Sequence, residues 1–239
     1  VGLDFSNATL VNVDLSNISY SLSAGGTGIK STWNGESRWY DGEVIPILME
    51  NTTFRGVSFA NSNITNKYIE STANYKTKDM SDFDLSGTSL AEIDLSGQNL
   101  TNSKFRNADL SKANLEGANL TKVDLRGADL TDVSGEYTLK NTIMTDGVIR
   151  NFSMTSAEDS AVIVKHTNKT ASLSRTARGF STYNGISAKI SEADAVISGG
   201  AKLTIDDGAL LEVVDGKSLS VGDGGTLEFN IGVDYTGAM

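Results

Sequence analysis

Residues 108–132 read ADLSKANLEGANLTKVDLRGADLTD, with a leucine at every fifth position. No ordinary element has that period: helices repeat near 3.6 residues and strands at about 2. The register runs without a slip from Met80 through Leu85, Leu90, Leu95, Leu100, Phe105, Leu110, Leu115, Leu120 and Leu125 to Leu130. A small or apolar residue commonly stands two positions earlier, as at Phe83, Ile93, Ala108, Ala113, Ala118, Val123 and Ala128, and Asp or Asn usually fills the slot between. Shorter runs occur at Phe5, Leu10, Leu15 and Tyr20, and at Phe54, Phe59, Ile64 and Ile69.

A square coil accounts for this ruler. If each unit makes one short side and one tight corner, the large residue and the residue two before it both point inward. A single coil cannot bury its own apolar face, so coils stack and bury it against one another. Alternating Ala and Leu fill a narrow interior without voids.

The units ADLSK, ANLEG, ANLTK, VDLRG and ADLTD resemble the pentapeptide-repeat family, whose pattern is A(D/N)LXX. The resemblance is strong over 80–132 and looser over 3–20 and 52–70. It implies an all-β chain built on a right-handed quadrilateral β-helix with four units per coil.

A second ruler governs the C-terminal end. Glycines at 200, 208, 216 and 224 are eight apart, as are Leu203, Leu211, Leu219 and Leu227, and Ile205, Val213, Val221 and Phe229. In DDGALLEVV and DGKSLSVGD this reads as a short alternating strand followed by an Asp-Gly turn. The expectation is a second, wider β-solenoid, resembling repeat stretches of bacterial surface and autotransporter-type passenger proteins. The chain then divides into a pentapeptide β-helix over 1–132, irregular β-coils over 133–199 and an octad solenoid over 200–239. Residues 21–50 interrupt the first repeats, and 70–79 form a short break.

Composition removes several chemistries. There are no cysteines, so disulfides and thiolate metal sites are excluded, and the lone histidine, His166, excludes a His-rich centre. The formal charge of -10 disfavours nucleic-acid binding, which needs clustered cations. No apolar run reaches membrane-spanning length. The chain opens on Val1 and not Met, and is expected to be processed, with a signal peptide removed, for an extracellular or bacterial cell-surface location.

The aspartates recurring in register, among them Asp14, Asp84, Asp94, Asp109, Asp124 and Asp129, are explained as corner residues and not as acid/base pairs. Asp206, Asp207, Asp215 and Asp223 are weak Ca2+ candidates, since each lies next to or near a turn glycine. His166 has Ser160, Ser172 and Asp159 nearby in sequence, but a G-x-S-x-G elbow is absent. Lys165, His166, Lys169, Arg175 and Arg178 form the one basic cluster. Eight N-x-S/T sequons, at Asn7, Asn17, Asn51, Asn63, Asn99, Asn119, Asn151 and Asn168, follow from the repeat alphabet itself. Trp33, Trp39 and Tyr40, in the 21–50 insertion, are the interaction candidates, suited to a sugar ring or an interface.

No catalytic, cofactor or firm metal set emerges, and the expected function is that of a noncatalytic structural protein. Its expected partners are copies of itself, stacked head to tail into filaments or a surface layer through uncapped solenoid ends, or neighbouring coils of a longer surface protein. One alternative follows from the family resemblance: an acidic rod that mimics DNA and acts on DNA gyrase. The other is an adhesin or carbohydrate-binding module using Trp33 and Trp39.

Overall fold

In the computed structural model, a tight turn after each large residue produces the five-residue period. The structure describes residues 5–16, 19–22, 28–33, 36–41, 49–163, 188–206 and 209–229, the segments 19–22, 28–33 and 36–41 by their backbone alone. Two compact units divide the chain, Val1–Leu139 and Lys140–Met239.

In the first unit, Ala108 N donates to Phe105 O at 3.0 Å, and the same bond recurs at Ala113–Leu110 and Ala118–Leu115. The third residue of each such turn has a left-handed backbone, as a type II turn requires. These corners are Asp82, Gly87, Glu92, Gly97, Asn102, Asn107, Lys112, Gly117, Lys122, Gly127 and Asp132, with φ between 54° and 71°. After four corners the chain returns to its starting face. Asp84 bridges Lys104 and Lys104 bridges Asp124, while Ser89–Asp109–Asp129, Asp94–Asn114–Ser134 and Asp79–Asn99–Asn119 form the other three ladders, all parallel. Each rung is two bonds, as when Leu85 N donates to Lys104 O and Lys104 N to Phe83 O, both at 2.8 Å.

The repeated Asp or Asn now has a local task. Its Oδ1 accepts the amide two residues on, at 3.1 Å for Asp84–Ser86, 3.0 Å for Asp109–Ser111 and 2.9 Å for Asp129–Thr131. That Asx bond satisfies a corner N–H that no ladder reaches. The large slot from Met80 to Leu125 is buried throughout, and so is the slot two before it from Phe83 to Val123. Three of these inner positions are polar, and each donates a hydrogen bond to a backbone carbonyl. Thr88 Oγ1 donates to Leu85 O, Ser103 Oγ donates to Met80 O while accepting Phe83 N, and Gln98 Nε2 donates to Tyr75 O.

The earlier coils follow the same faces with longer excursions. β1 (Thr9–Val11) pairs in parallel with β5 (Thr53–Arg55), and Asp14 bridges Ser58, which bridges Asp84. Between them β2 (Ser19–Leu22), β3 (Gly28–Trp33) and β4 (Glu36–Asp41) form an antiparallel meander in the order β2-β3-β4. Where the loose pentads and the short break were expected, the chain instead makes two short helices, α1 (Asn66–Ser71) and α2 (Ala73–Lys76). Ile64 and Ile69 stay buried at their five-residue positions, so the apolar spacing persists while the backbone does not. Asn74 closes the gap that α2 leaves in the ladder. Its Oδ1 accepts Phe54 N at 2.6 Å, and its Nδ2 donates to Phe54 O at 3.0 Å and to Asp79 O at 2.9 Å. A side-chain amide thus stands in for a backbone rung.

The second unit is a wider coil. A short hairpin, β6 (Thr142–Ile143) with β7 (Ile149–Arg150), precedes three ladders. In one, Val148 bridges Lys189 on β9 (Ala188–Ile190), which pairs with β12 (Leu211–Val213). In another, Met154 bridges Ile197 on β10 (Ala195–Ile197), which pairs with β13 (Leu219–Val221). In the third, β8 (Ala161–Ile163), β11 (Lys202–Ile205) and β14 (Thr226–Phe229) pair in that order. Ala195 pairs with Leu219 and Lys202 with Thr226, a rise of 24 residues per turn, so three octads make one coil. Residues 188–197 stand in the same ladders as the octads that follow them, and residues 134 and 138 still rung the four-sided coil.

Candidate interaction surface at the last described coil

The three-sided coil buries one apolar column on each face. Ile190, Ile197 and Ile205 are between 0 % and 5 % exposed, packed with Met154, Ile163, Ala188, Ala195 and Leu203. Burying each such side chain contributes roughly 1.5–3 kcal/mol. One coil further on, the same columns continue with Val213, Val221 and Phe229, in register with Ile190, Ile197 and Ile205. These three are 36 %, 50 % and 61 % exposed, and Leu210 beside them is 61 % exposed. Leu211, Leu219 and Leu227 are only partly buried against the coil below. Among the described residues, β12, β13 and β14 each pair on one side alone. Among the described residues, their outer edges therefore carry backbone N–H and C=O groups with no strand partner, beside an apolar centre.

The rim is held by polar ladders between coils. Lys202 Nζ lies 2.5 Å from Glu228 Oε2, which also accepts Thr204 Oγ1 at 3.2 Å. These bonds hold the Glu228 carboxyl below the usual range, with the Lys202 hydrogen bond the main cause. Lys189 reaches Glu212 at 3.7 Å on the next face, and Asp194 Oδ1 accepts Ser218 N and Oγ at 2.8 and 2.9 Å.

The residues singled out from the sequence fall elsewhere. Trp33 lies on β3 opposite Glu36, while Trp39 and Tyr40 lie on β4 opposite Lys30 and Ile29, so they belong to a sheet and not to a loop. Their side chains are outside the described residues. Asp206, Asp215 and Asp223 occupy separate corners of the coil. Asp206 O accepts Ala209 N, and Asp223 O accepts Gly199 N at 2.8 Å. Asp207 lies outside the described residues, as do His166 and the whole basic cluster of Lys165, Lys169, Arg175 and Arg178. Among the described residues no group of three His, Cys, Asp or Glu is placed to hold a metal ion, and no helix is long and apolar enough to cross a membrane. The sequence points to solenoid ends as contact surfaces but not to Val213, Val221 and Phe229, because each octad looks equally buried in sequence.

Residues 79–117 and 99–134 match the family model described as pentapeptide repeats, in 8 copies. Residues 79–134 are pentapeptide repeats. The right-handed quadrilateral β-helix is that family's fold, and the twenty-residue ladders of the pentapeptide segment have its geometry. No curated protein matches the sequence. Among solved structures, the chain is similar to HetL, a pentapeptide repeat protein involved in heterocyst differentiation regulation from the cyanobacterium Nostoc, at 22 % identity and a TM-score of 0.30. That match covers 62 % of this chain and about half of HetL, 51 %. The chain is also similar to the pentapeptide repeat protein Rfr23 from the cyanobacterium Cyanothece, at 23 % identity and a TM-score of 0.34, covering 59 % of this chain and 90 % of that one.

Proposed function

We propose that this is a noncatalytic structural protein, secreted or displayed on a bacterial surface, that associates with copies of itself through the end of its three-sided coil. The observation that carries the reading is the exposure of Val213, Val221 and Phe229 in columns that are closed one coil earlier. Exposed apolar columns beside strand edges that have no partner among the described residues favour addition of further strands over solvation. Filaments or a surface layer follow if a second surface of the chain also takes part.

The acidic-rod alternative loses support along the shaft. Residues 49–139 carry 13 acidic and 9 basic side chains. Cross-coil pairs join Lys104 to Asp84 at 3.6 Å, Lys112 to Glu92 at 3.5 Å and Arg106 to Asp124 at 3.2 Å. A phosphate mimic needs uncompensated rows of carboxylates, and these pairs interrupt the rows.

Sedimentation velocity and negative-stain microscopy across a wide concentration range test the proposal. Association that grows with concentration and is lost in Val221→Lys and Phe229→Asp is the expected result. Monomers at every concentration overturn it. A glycan array with Trp33→Ala and Trp39→Ala addresses the carbohydrate alternative.

A further inference from the structure

We infer that Asp215 is a site of spontaneous backbone isomerisation, in which the peptide bond to Gly216 migrates from the main-chain carboxyl to the side-chain carboxyl. Aspartate followed by glycine is chemically suited to this, because glycine has no side chain to shield the attacking amide. The fold decides which Asp-Gly step is free to react. Three such steps lie wholly among the described residues, Asp146–Gly147, Asp215–Gly216 and Asp223–Gly224, while Asp41–Gly42 and Asp207–Gly208 reach outside them.

The corner at Asp215 carries a surplus residue. Val213 pairs with Ile190 and Leu219 with Ala195, so five residues, 214–218, span a corner that the coil below turns in four, 191–194. Both ends of the longer corner are fixed. Val214 N donates to Ile190 O at 3.0 Å, and Ser218 N donates to Asp194 Oδ1 at 2.8 Å. Between them Lys217 N donates to Val214 O at 2.9 Å, which makes Asp215 and Gly216 the central pair of a turn. Gly216, at φ 80°, has the positive angle that the third residue of a type II turn requires. Among the described residues neither Asp215 nor Gly216 makes a hydrogen bond, and nothing lies within 4 Å of a β-carbon on Gly216.

The other two steps are held. At Asp223 the corner has four residues on both coils, 198–201 and 222–225, and stays in register. Asp223 O accepts Gly199 N at 2.8 Å and Gly224 O accepts Gly200 N at 3.1 Å, which clamps the peptide plane on each side of Gly224. At Asp146 the attacking atom itself is engaged, since Gly147 N donates to Met144 O at 2.9 Å. The carboxyl is engaged as well, with Asp146 Oδ1 accepting Val148 N at 2.9 Å. Ring closure needs the peptide plane after the aspartate to swing until its nitrogen faces Cγ. At Asp146 and Asp223 that swing breaks a hydrogen bond, and at Asp215 it breaks none.

In the reaction Gly216 N forms a bond to Asp215 Cγ, and an oxygen of the protonated carboxyl leaves as water with the amide proton. Water then opens the succinimide ring. Opening at the main-chain carbonyl leaves Gly216 joined through Cγ, and opening at Cγ restores aspartate, so the net change is an isomerisation with no oxidant or reductant. The product carries an extra backbone atom in the corner between β12 and β13, with a free carboxylate on the former main-chain carbon.

The intact chain is incubated for weeks at neutral pH and digested with trypsin, which places the three steps in separate peptides, 141–150, 203–217 and 218–239. Electron-transfer fragmentation distinguishes isoaspartate from aspartate and separates Asp215 from Asp207 within the middle peptide. Isoaspartate should accumulate about tenfold faster at Asp215 than at Asp146 or Asp223, the factor expected when a hydrogen bond must first open. In guanidinium chloride, where the fold is lost, the three rates should converge. No conversion at Asp215, or native rates that are equal or faster at Asp146 or Asp223, overturns the assignment. A preference for Asp215 that persists unchanged in the denaturant also overturns it, because the flanking sequence and not the corner would then be the cause.

Discussion

The side-chain oxygen of Asn61 lies 2.5 Å from the point where a β-carbon on Gly87 would stand. Both residues are corners of one column, Asn61 at φ 54° and Gly87 at φ 67°, and Asn107 and Gly127 repeat the arrangement on later coils. An Asn corner thus leans over a Gly corner, and each glycine is held by backbone angle and by its neighbour's amide together.

Gly87→Ala should therefore cost more than Gly97→Ala. Gly97 has φ 63° but nothing within 4 Å of a new β-carbon, so it bears only backbone strain of about 1 kcal/mol. Gly87→Ala adds the clash with Asn61 and is expected to lose about 2 kcal/mol. Asn61→Gly in the Gly87→Ala background should recover the steric part, a coupling that a urea-unfolding double-mutant cycle measures.

Asn74→Ala removes three hydrogen bonds at a buried site and strands Phe54 N, Phe54 O and Asp79 O. A loss of about 3 kcal/mol is expected. Hydrogen exchange should accelerate first at Phe54, whose amide loses its acceptor, and leave coils beyond Leu100 protected. Uniform acceleration along the shaft would contradict the role of Asn74 as a local rung.

Asp124 is buried with Arg126, accepting from its Nε at 2.9 Å and its Nη2 at 2.6 Å, and Arg106 stands 3.2 Å away. Removing the shared carboxylate leaves two guanidinium groups close together, one of them only 1 % exposed. Asp124→Ala should cost about 3 kcal/mol. At the exposed Asp94, where Oδ1 accepts only Ser96 N and Asn114 Nδ2 among the described bonds, the loss should be about 1 kcal/mol. Thermal unfolding of the two variants gives the ranking.

Asp159 contributes to the acid response of the three-sided unit. It accepts from Lys140 Nζ, Thr155 N, Ser156 N and Ser156 Oγ, and the Lys140 bond foremost lowers its pKa from 3.8 to about 2. Because the folded value is the lower one, the carboxylate stabilises the fold fully above about pH 4, and that contribution fades as pH falls toward 2. Denaturant midpoints should decline across that interval, and Asp159→Asn should flatten the decline.

Most of the shaft was legible in the sequence. Met80 to Leu125 keep one register because each short side needs one large inward residue and each corner one left-handed residue, and both demands recur every five positions. The departures lie where a side chain does a backbone's work. Nothing in STANYK marks Asn74 as a rung, since its partners Phe54 and Asp79 are 20 and 5 residues away and meet only once α2 has formed. Octad spacing fixes the length of a side, but the number of sides depends on how far each corner turns. The 24-residue coil therefore emerged only from the pairing of Ala195 with Leu219. Solenoid ends were expected as contact surfaces, but the residues on this one were not legible for a related reason: Val221 and Ile197 occupy the same slot and differ only in exposure.

Asp14, Ser58, Asp84 and Lys104 are consecutive rungs of one ladder, yet the intervals between them are 44, 26 and 20 residues. Surplus chain leaves at a corner, as a sheet or as a pair of helices, and re-enters on the face it left. Such a coil counts sides and ignores how much chain is spent between them. Grafting a foreign segment at Gly97 or Gly117 should leave every later side in place, whereas deleting five residues between them would shift all that follows by a quarter turn. The shaft is thus a mounting rail whose notches stay aligned whatever is hung between them.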